Sequence, residues 1–279
     1  MKIEEHLSVD TADASIVDLI QQVTALSRQS IKRCLASGAV WLTRDGSTRP
    51  VRRVKKPLNI GDQIHFYYDS KVLEQRTDPA ILIEDQQGYS LWFKPSGMLS
   101  QGSKWGDHCT IQRWVETRIE PQRPVFIVHR LDRAASGLMI LAHTKTVAAA
   151  LAEQFKTRVV GKTYRAIARG KVEDNFDVNT PIDDRPAKSR VSVSKAQSDL
   201  SLVEVSIETG RKHQIRIHLA ESGHPILGDR AYDENYKEGD PDLCLVSYQI
   251  EIDCPINGER RVFNLPEEHL VKLEDFVNA

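Results

Sequence analysis

The sequence predicts an α+β protein: a main domain built on a mixed, largely antiparallel sheet, preceded by a small α/β domain. Two short helices and two short strands are predicted before residue 70, and a polar segment follows at 71–80. Beyond it, short strands alternate with a few helices. The strands do not repeat in βαβ order, which favours a mixed or antiparallel sheet over a parallel one. We therefore predict a small domain at 13–70, a linker at 71–80 and the main domain at 81–279.

Residues 14–36 predict two short helices. Apolar residues recur at i, i+3, i+4 and i+7 in the first helix, as Ile16, Leu19, Ile20 and Val23. Ser27 is placed to cap the second helix, and Gly38 follows its expected end. Strands are predicted at 40–43 and 64–68, where apolar and aromatic residues cluster between turns.

The main domain begins with two predicted strands, at 81–83 and 91–93, around a turn-like segment at 85–88. Its other predicted elements are strands at 138–142 and 202–207 and helices at 147–155 and 213–222. Neither an internal repeat nor a low-complexity segment interrupts this order, so a single main domain is expected.

The composition is typical of a globular protein. Hydrophobic residues make up 40% and charged residues 28%, and no apolar run approaches the roughly 20 residues that cross a bilayer. The first ten residues lack the apolar stretch of a signal peptide, so we expect a cytoplasmic protein that does not contact a membrane. None of the four cysteines forms a Cys-x-x-Cys pair and the nine histidines are scattered, so we predict no metal site.

The net charge of −1 hides a local excess of positive charge. Between residues 27 and 68 there are nine basic residues and only two acidic ones. The basic residues are Arg28, Lys32, Arg33, Arg44, Arg49, Arg52, Arg53, Lys55 and Lys56. Such an asymmetry indicates a surface that binds phosphates, as in nucleic-acid-binding domains, although a solvated charged face would have the same composition.

Three separate stretches of the main domain carry residues suited to chemistry. The first, at 128–138, contains His129-Arg130-Leu131-Asp132; the second is Gly161-Lys162-Thr163-Tyr164-Arg165-Ala166; the third is Thr209-Gly210-Arg211-Lys212-His213-Gln214-Ile215-Arg216. Asp132 lies among arginines that favour its ionised form, and an ionised carboxylate is suited to nucleophilic attack. Tyr164 faces one side of its predicted strand, where its ring could stack on a base. The cations at the start of the third helix oppose the helix dipole, which indicates contact with an anion.

Each stretch taken alone also has a plainer structural interpretation. Asp132 could form an ion pair that anchors a loop, Tyr164 could fill the surface of a sheet, and the third helix could expose a solvated basic face. The choice between these interpretations depends on the three stretches together.

In this order the stretches resemble the RluA type of RNA pseudouridine synthase. The matching signatures are His-Arg-Leu-Asp followed by Ser-Gly-Leu, Lys-x-Tyr-x-Ala, and Gly-Arg-x-His-Gln-Ile-Arg, with Lys94-Pro95-Ser96-Gly97 and the segment 223–229 as two more. The resemblance covers roughly residues 81–266. Two positions differ from the usual pattern: Ala135 replaces a threonine, and 243–247 replaces Leu-x-Leu-His-Ala.

The resemblance implies a role for several residues. Asp132 corresponds to the nucleophile that attacks the target uridine, Tyr164 to the tyrosine that stacks on the base and is implicated in removing the C5 proton, and Arg216 to the arginine that pairs with the nucleophile. Arg130 corresponds to the residue that fills the space left by the flipped base, and Arg211 and His213 would also contact RNA. The reaction exchanges bonds within the substrate, so no cofactor is implied.

The small domain resembles the RNA-binding domain first named from small-subunit ribosomal protein four. Ser27-Arg28 opening a basic helix, Gly38-Ala39-Val40 and Gly61-Asp62-Gln63-Ile64 carry this resemblance. The resemblance implies RNA contacts for five basic residues of this domain, namely Arg28, Lys32, Arg33, Arg52 and Arg53.

We expect RNA as the substrate, with ribosomal RNA of the large subunit as the first choice, transfer RNA still open, and a monomer as the default state. Two other functions compete. A non-catalytic RNA-binding or ribosome-assembly protein would use the basic segment equally well. A glycosidic hydrolase would need a second carboxylate as general acid, and Asp183, Asp184 and Glu208 are its weak candidates.

Overall fold

The computed structural model of the chain describes residues 1–11 and 13–277, and these form two compact units. The first unit comprises residues 1–77 and 101–117; the second comprises 78–100 and the chain from 118 onward. The first unit therefore begins earlier than the predicted small domain and also includes a segment that the sequence placed in the main domain.

The first unit is a four-stranded antiparallel sheet with helices. Its strands are β1 (Lys2–Ser8), β2 (Val40–Arg44), β3 (Ser47–Pro50) and β4 (Gln63–Asp69), in the order β1-β4-β2-β3. Its helices are α1 (Ile16–Val23), α2 (Arg28–Ala36), α3 (Ser70–Leu73) and α4 (Ile111–Glu116). The predicted helices and strands are present, whereas β1, β3, α3 and α4 were not predicted, and α3 occupies part of the predicted linker.

Apolar faces of the two longer helices pack on one face of this sheet. Ile16 and Ile20 of α1 and Ile31 of α2 are fully buried in a cluster that includes Ile64 and Phe66 of β4. The Ser27 hydroxyl accepts a hydrogen bond from the backbone N–H of Ser30, as predicted for an N-cap.

The second unit is built on a ten-stranded sheet. Its strands are β5 (Ile81–Asp85), β6 (Tyr89–Lys94), β7 (Phe126–Ile127), β8 (Ser136–Ala142), β9 (Gly161–Arg169), β10 (Phe176–Val178), β11 (Ser189–Gln197), β12 (Leu200–Ile207), β13 (Leu245–Asp253) and β14 (Arg260–Asn264). Its helices are α5 (Lys145–Thr157), α6 (Gln214–Glu221) and α7 (Glu274–Val277), with a 3₁₀ turn at Glu267–His269.

The sheet is mixed and largely antiparallel, which confirms the predicted fold class. The main path runs β10-β11-β12-β9-β13-β8-β6-β5, with β14 beside β13 and β7 beside β8, and the pair β13–β8 is parallel. Helix α5 packs Leu151 against the core below β8 and β13, where Ile140 and Ile250 are fully buried. No helix in the described ranges has the length and apolar character needed to span a membrane.

Gly137 explains the Ser-Gly pair that precedes β8. A Cβ at this position would lie 2.3 Å from the backbone oxygen of Ser247 and 2.5 Å from its nitrogen, because β8 and β13 approach closely where Ser247 pairs with Gly137. Glycine is therefore required for this strand contact, which places the loop before β8 beside the centre of the sheet.

Candidate active site

A cavity of about 580 Å³ opens in the second unit among the three stretches singled out from the sequence. Its walls come from the loop before β8, the end of α5, the start of β9 and the turn before α6. Most of its titratable lining residues are basic: His129, Arg130, Lys156, Arg158, Lys162, Arg211, Lys212, His213 and Arg216. Asp132 and Glu208 are the acidic side chains among its described lining residues.

The loop that carries Asp132 is held by hydrogen bonds to the segment after β6. The Ser100 hydroxyl accepts a hydrogen bond from the Leu131 N–H at 3.0 Å and donates one to the Leu131 carbonyl at 2.8 Å. The Gly97 N–H donates to the Arg133 carbonyl at 2.8 Å, and the Arg133 Nε donates back to the Gly97 carbonyl at 3.1 Å. Asp132 therefore lies between two residues whose backbones are fixed.

Lys94 fastens the same loop from the interior. Its fully buried ammonium group donates to the carbonyls of Pro95, Met98 and Ala135 at 2.6–2.9 Å. Burial lowers the pKa of Lys94 to about 7, while the charge of Asp132 acts in the opposite direction. Three carbonyl acceptors require three N–H donors, so the hydrogen bonds favour the ammonium form.

Arg216 is shared between two carboxylates. Its Nε and one terminal nitrogen form a bidentate pair with Asp229, both at 2.7 Å, and its other terminal nitrogen lies 3.5 Å from Asp132. The Asp229 carboxylate is fully buried and also accepts the backbone N–H groups of Ala231 and Tyr232. Its hydrogen bonds outweigh the cost of burial and lower the pKa of Asp229.

His213 completes the surroundings of Asp132. Its Nε2 lies 3.8 Å from the Asp132 carboxylate, and its Nδ1 is hydrogen-bonded to the Tyr232 hydroxyl at 2.9 Å. Burial is the main cause that lowers the pKa of His213, so the ring is neutral at neutral pH. His213 caps α6 in the left-handed region, at a φ of 57°, so the helix begins at Gln214, one residue later than predicted.

Gln214 fixes the turn that presents these side chains. Its buried side-chain oxygen accepts from the Thr209 hydroxyl at 2.7 Å and from the Arg211 N–H at 3.0 Å. Its amide donates to the Lys188 carbonyl at 2.9 Å, which ties the turn to the residue directly before β11. The Gly-Arg-x-His-Gln signature thus includes the residue that shapes its own loop.

Tyr164 lies in β9, opposite Ser247 of β13, and its ring is buried against the cavity. Thr163 and Arg165 on either side are half-buried, in agreement with the predicted alternation. Burial and, to a smaller extent, the charge of Asp132 raise the pKa of Tyr164, whereas a hydrogen bond with Ser247 lowers it. Tyr164 is therefore a neutral phenol in the unliganded protein.

The predicted RNA-contacting residues fall into two groups. Arg130 is exposed at the rim of the cavity, and the Arg211 side chain donates to the Pro186 carbonyl at 3.0 Å. In the first unit, Arg28 is paired with Asp18 and Arg52 with Asp107. The other three residues, Lys32, Arg33 and Arg53, are exposed, and the structure shows no ion pair for them within the described ranges.

Sequence reasoning did not assign a function to Asp229 or His129. Both stand inside motifs that were recognised, Gly-Asp at 228–229 and His-Arg-Leu-Asp at 129–132, but their partners lie far away in the chain. Of the second carboxylates considered for a hydrolase, Asp183 and Asp184 do not line the cavity, and Glu208 lies 3.5 Å from Lys188 with an exposed side chain. In the described part of the chain, no group of three His, Cys, Asp or Glu side chains is arranged to hold a metal ion.

A carboxylate beside an arginine and a buried tyrosine, in a largely basic cavity on a mixed sheet, is the arrangement expected of an enzyme that acts on a polyanion such as a nucleic acid. Comparison with known proteins identifies which kind. The sequence pattern of the RNA pseudouridylate synthase family matches residues 88–221. The dual-specificity RNA pseudouridine synthase RluA of Haemophilus influenzae is 33% identical over 190 residues, which cover 61% of this chain and 85% of that protein.

Other relatives agree. Ribosomal large subunit pseudouridine synthase C of the same organism is 31% identical over 202 residues, covering 64% of this chain and 62% of that protein. The solved structure of human RNA pseudouridylate synthase domain containing 1 is similar in fold, with a TM-score of 0.59 and 21% identity over 74% of this chain and 96% of that one. The chain belongs to the RluA-type family of RNA pseudouridine synthases, enzymes that isomerise uridine in RNA to pseudouridine.

Proposed function

We propose that Asp132 is the nucleophile of this pseudouridine synthase, and one observation supports it above the others. Arg216 gives its close bidentate contact to Asp229 and only a 3.5 Å contact to Asp132. Asp132 thus lies close to positive charge without its oxygens being held in a tight pair, and its side chain is about 20% exposed in the cavity. A carboxylate that only anchored the loop would be expected to take the tighter pair.

Arg216 would act by position and charge. Its positive charge lies 3.5 Å from the Asp132 carboxylate, and Asp229 fixes the plane of the guanidinium so that one terminal nitrogen faces the nucleophile. His213, 3.8 Å from the same carboxylate, would contact the uridine or its sugar as a neutral side chain.

Tyr164 would stack on the uracil and accept the C5 proton late in the reaction. While Asp132 is ionised, its charge raises the pKa of Tyr164. When Asp132 forms a covalent bond to the uridine this charge disappears, so the phenol becomes easier to ionise, and the phenolate is the form that accepts a proton. The protons balance: the phenol loses one proton and N1 of the base gains one, and the phenolate then takes up the proton that leaves C5.

Arg130 would occupy the place of the flipped uridine in the RNA stack. It is exposed at the rim, directly before the anchored residue Leu131, so its side chain can enter the RNA while the loop stays fixed. Extruding a base costs a few kcal/mol, and a planar guanidinium that stacks in the gap would offset part of this cost.

Large-subunit ribosomal RNA is the proposed target, with transfer RNA as the second candidate. Relatives named as ribosomal large subunit pseudouridine synthases C and D support the first, and a relative named as dual-specificity supports keeping the second. Exposed Lys32, Arg33 and Arg53 of the first unit would add electrostatic affinity for either RNA.

The nucleophile is tested by tritium release from RNA labelled at uridine C5. Asp132→Asn keeps the shape of the side chain but removes its charge, so we expect no release above background. Asp233→Asn, which changes another buried carboxylate that pairs with Arg169 away from the cavity, is the matched control and should retain release. Release by Asp132→Asn would rule out the nucleophile, and free uracil as a product would indicate hydrolysis. Assays on unmodified transcripts of large-subunit RNA and transfer RNA then identify the target.

A further inference from the structure

The cavity lining includes three nitrogen-bearing side chains that none of the roles above uses: His129, Arg158 and Lys162. They come from the loop before β8, the end of α5 and the start of β9. The His129 ring stacks on Phe155, which precedes Arg158 by three residues, and Lys162 follows Arg158 by four, so the three residues lie in the same part of the cavity.

His129 presents a fixed hydrogen-bond donor. Its Nε2 accepts the backbone N–H of Ile140 at 2.9 Å, and its ring is stacked on Phe155 with 4.5 Å between the ring centroids. An amide N–H can only donate, so Nε2 carries no proton, and the proton of the neutral ring must be on Nδ1. Burial lowers the pKa of His129 to about 3, which keeps this single tautomer at neutral pH.

The two cations beside it lack an acidic partner. No carboxylate in the described part of the chain lies within 4 Å of the charged nitrogens of Lys162 or Arg158. Lys162 is half-buried, and its Nζ would lie 3.6 Å from a Cβ added at Gly210, so it spans the cavity from β9 to the turn before α6. Burial is the main cause that lowers the pKa of Lys162, which means that its charge lacks solvation that a bound anion would restore.

Arg158 adds a backbone feature that points in the same direction. It ends α5 in the left-handed conformation, at a φ of 63°, a place where glycine is common because it has no Cβ to strain. The helix dipole favours any cation here, so the choice of arginine alone does not establish a ligand. Its position beside a neutral donor and an unpaired, half-buried lysine makes an anion the fitting occupant.

We propose that His129, Arg158 and Lys162 form a subsite for one backbone phosphate of the RNA, next to the nucleotide held over Asp132. Phosphates are the anions that RNA carries, and a point-charge lysine, a forked arginine and a neutral N–H donor supply complementary hydrogen bonds to their oxygens. This proposal depends on the proposed function of Asp132 only for the location of the subsite. The subsite would hold the RNA backbone while the base is extruded.

The charge contribution is tested by RNA binding as a function of salt. The probe is an unmodified stem-loop transcript that contains the target uridine. The variants are Lys162→Met, Lys162→Arg and Arg158→Gln in the full chain. Each phosphate contact releases roughly one counterion, so Lys162→Met and Arg158→Gln should each reduce the salt slope by about one and weaken binding about tenfold near 0.1 M salt. Lys162→Arg keeps the charge and should retain the slope. Lys145→Gln, an exposed residue at the opposite end of α5, is the matched control and should behave as the parent protein.

The phosphate itself is located with RNAs that carry a neutral methylphosphonate at one position around the uridine. At the contacted position the substitution should weaken binding by the parent protein but not weaken Lys162→Met further, because the interaction is already lost. His129→Phe keeps the stacked ring and should lower affinity without changing the salt slope, since a neutral donor releases no counterion. The subsite would be overturned if the methylphosphonate and Lys162→Met weakened binding additively at every position. It would also be overturned if Lys162→Met and Lys145→Gln had equal salt slopes.

The subsite and the nucleophile fail separately in these experiments. Asp132→Asn should bind the stem-loop with the salt slope of the parent protein while releasing no tritium. If Asp132→Asn releases tritium but Lys162→Met lowers the slope, the subsite stands and the nucleophile assignment does not. If Asp132→Asn releases no tritium but Lys162→Met keeps the salt slope of the parent protein, the nucleophile assignment stands and the subsite does not.

Discussion

Arg216 holds Asp229 through two hydrogen bonds of 2.7 Å and faces Asp132 with its remaining terminal nitrogen at 3.5 Å. This division gives the guanidinium a fixed plane without tying up the carboxylate in the cavity. Asp229 itself never faces the cavity, so its effect on the reaction is to position Arg216.

Asp229→Asn should therefore impair both folding and chemistry. Removing one partner of a buried pair costs about 3 kcal/mol or more, and a guanidinium displaced by about 1 Å can slow the reaction roughly a hundredfold. We expect a lower free energy of unfolding in urea and a fall in kcat for tritium release at saturating RNA.

The control for this prediction is Asp233→Asn, which also removes a buried carboxylate partner of an arginine, here Arg169. This variant should lose stability but keep kcat, since Asp233 does not line the cavity. Equal kcat values for both variants would show that Asp229 acts through stability alone.

Ser247 supplies the second prediction. It lies opposite Tyr164 in the β9–β13 pair, and its buried hydroxyl is hydrogen-bonded to Tyr164. This hydrogen bond lowers the pKa of Tyr164, so Ser247→Ala should raise that pKa further, make the phenolate harder to form and reduce kcat several-fold, with about 1 kcal/mol lost in stability.

Two further variants serve as comparisons for Ser247→Ala. Tyr164→Phe keeps the ring and should bind RNA normally while tritium release falls to background. Ser201→Ala removes another buried hydroxyl, hydrogen-bonded to the carbonyl of Gly170 directly after β9, and should reduce stability by a similar amount with kcat unchanged. An unaltered kcat in Ser247→Ala would mean that the hydroxyl has no influence on the proton transfer.

The features that could be predicted correctly from the sequence are local ones, because each is read from neighbouring residues. Ser27 caps α2 through a residue three positions away, and Tyr164 alternates with its immediate neighbours. Asp229 and Lys94 could not be assigned in the same way, because their burial and their partners are set by how distant segments pack. A sequence pattern records which side chains are present, whereas the division of Arg216 between two carboxylates depends on the tertiary structure.

The elements missed by sequence reasoning have a similar cause. Strand β1 alternates only between exposed and half-buried residues, since it lies at the edge of its sheet, so its hydrophobic signal is weak. Helices α3 and α4 have four and six residues, too short for a helical period to stand out. The segment 101–117 belongs to the first unit through tertiary contacts, which no local sequence pattern predicts.

The third prediction concerns pH and follows from His129. Its folded-state pKa of about 3 lies below the ordinary value of 6.5, so below 6.5 the unfolded chain takes up a proton that the folded protein does not. The stabilising contribution is thus complete above pH 6.5 and is lost progressively as the pH falls toward 3. His129→Gln cannot take up this proton, and its side-chain oxygen can still accept the Ile140 N–H.

Urea unfolding at pH 7.5 and pH 5.0 measures this effect. The parent protein should lose stability between the two values, and His129→Gln should lose less. Part of the decrease will remain, because burial also lowers the pKa values of His108 and His143. The same pH dependence in both proteins would contradict the lowered pKa of His129.

The final prediction concerns RNA binding by the first unit. Lys32, Arg33 and Arg53 are exposed, whereas Arg52 is engaged with Asp107 inside the unit. Replacing the three exposed residues by glutamine should reduce the salt slope of RNA binding by about two to three, because each lost phosphate contact removes nearly one released counterion. The kcat at saturating RNA should stay unchanged, since these residues do not line the cavity.

Substitution is a cleaner test than truncation here. Residues 101–117 belong to the same compact unit as 1–77, so deleting the N-terminal residues would strip this segment of its packing partners and confuse unfolding with weaker binding. The matched control replaces three other exposed lysines, Lys145, Lys171 and Lys272, by glutamine and changes the net charge equally. If both triple variants lower the salt slope to the same extent, the first unit contributes only to the overall charge; if only the first does so, its basic residues contact the RNA backbone.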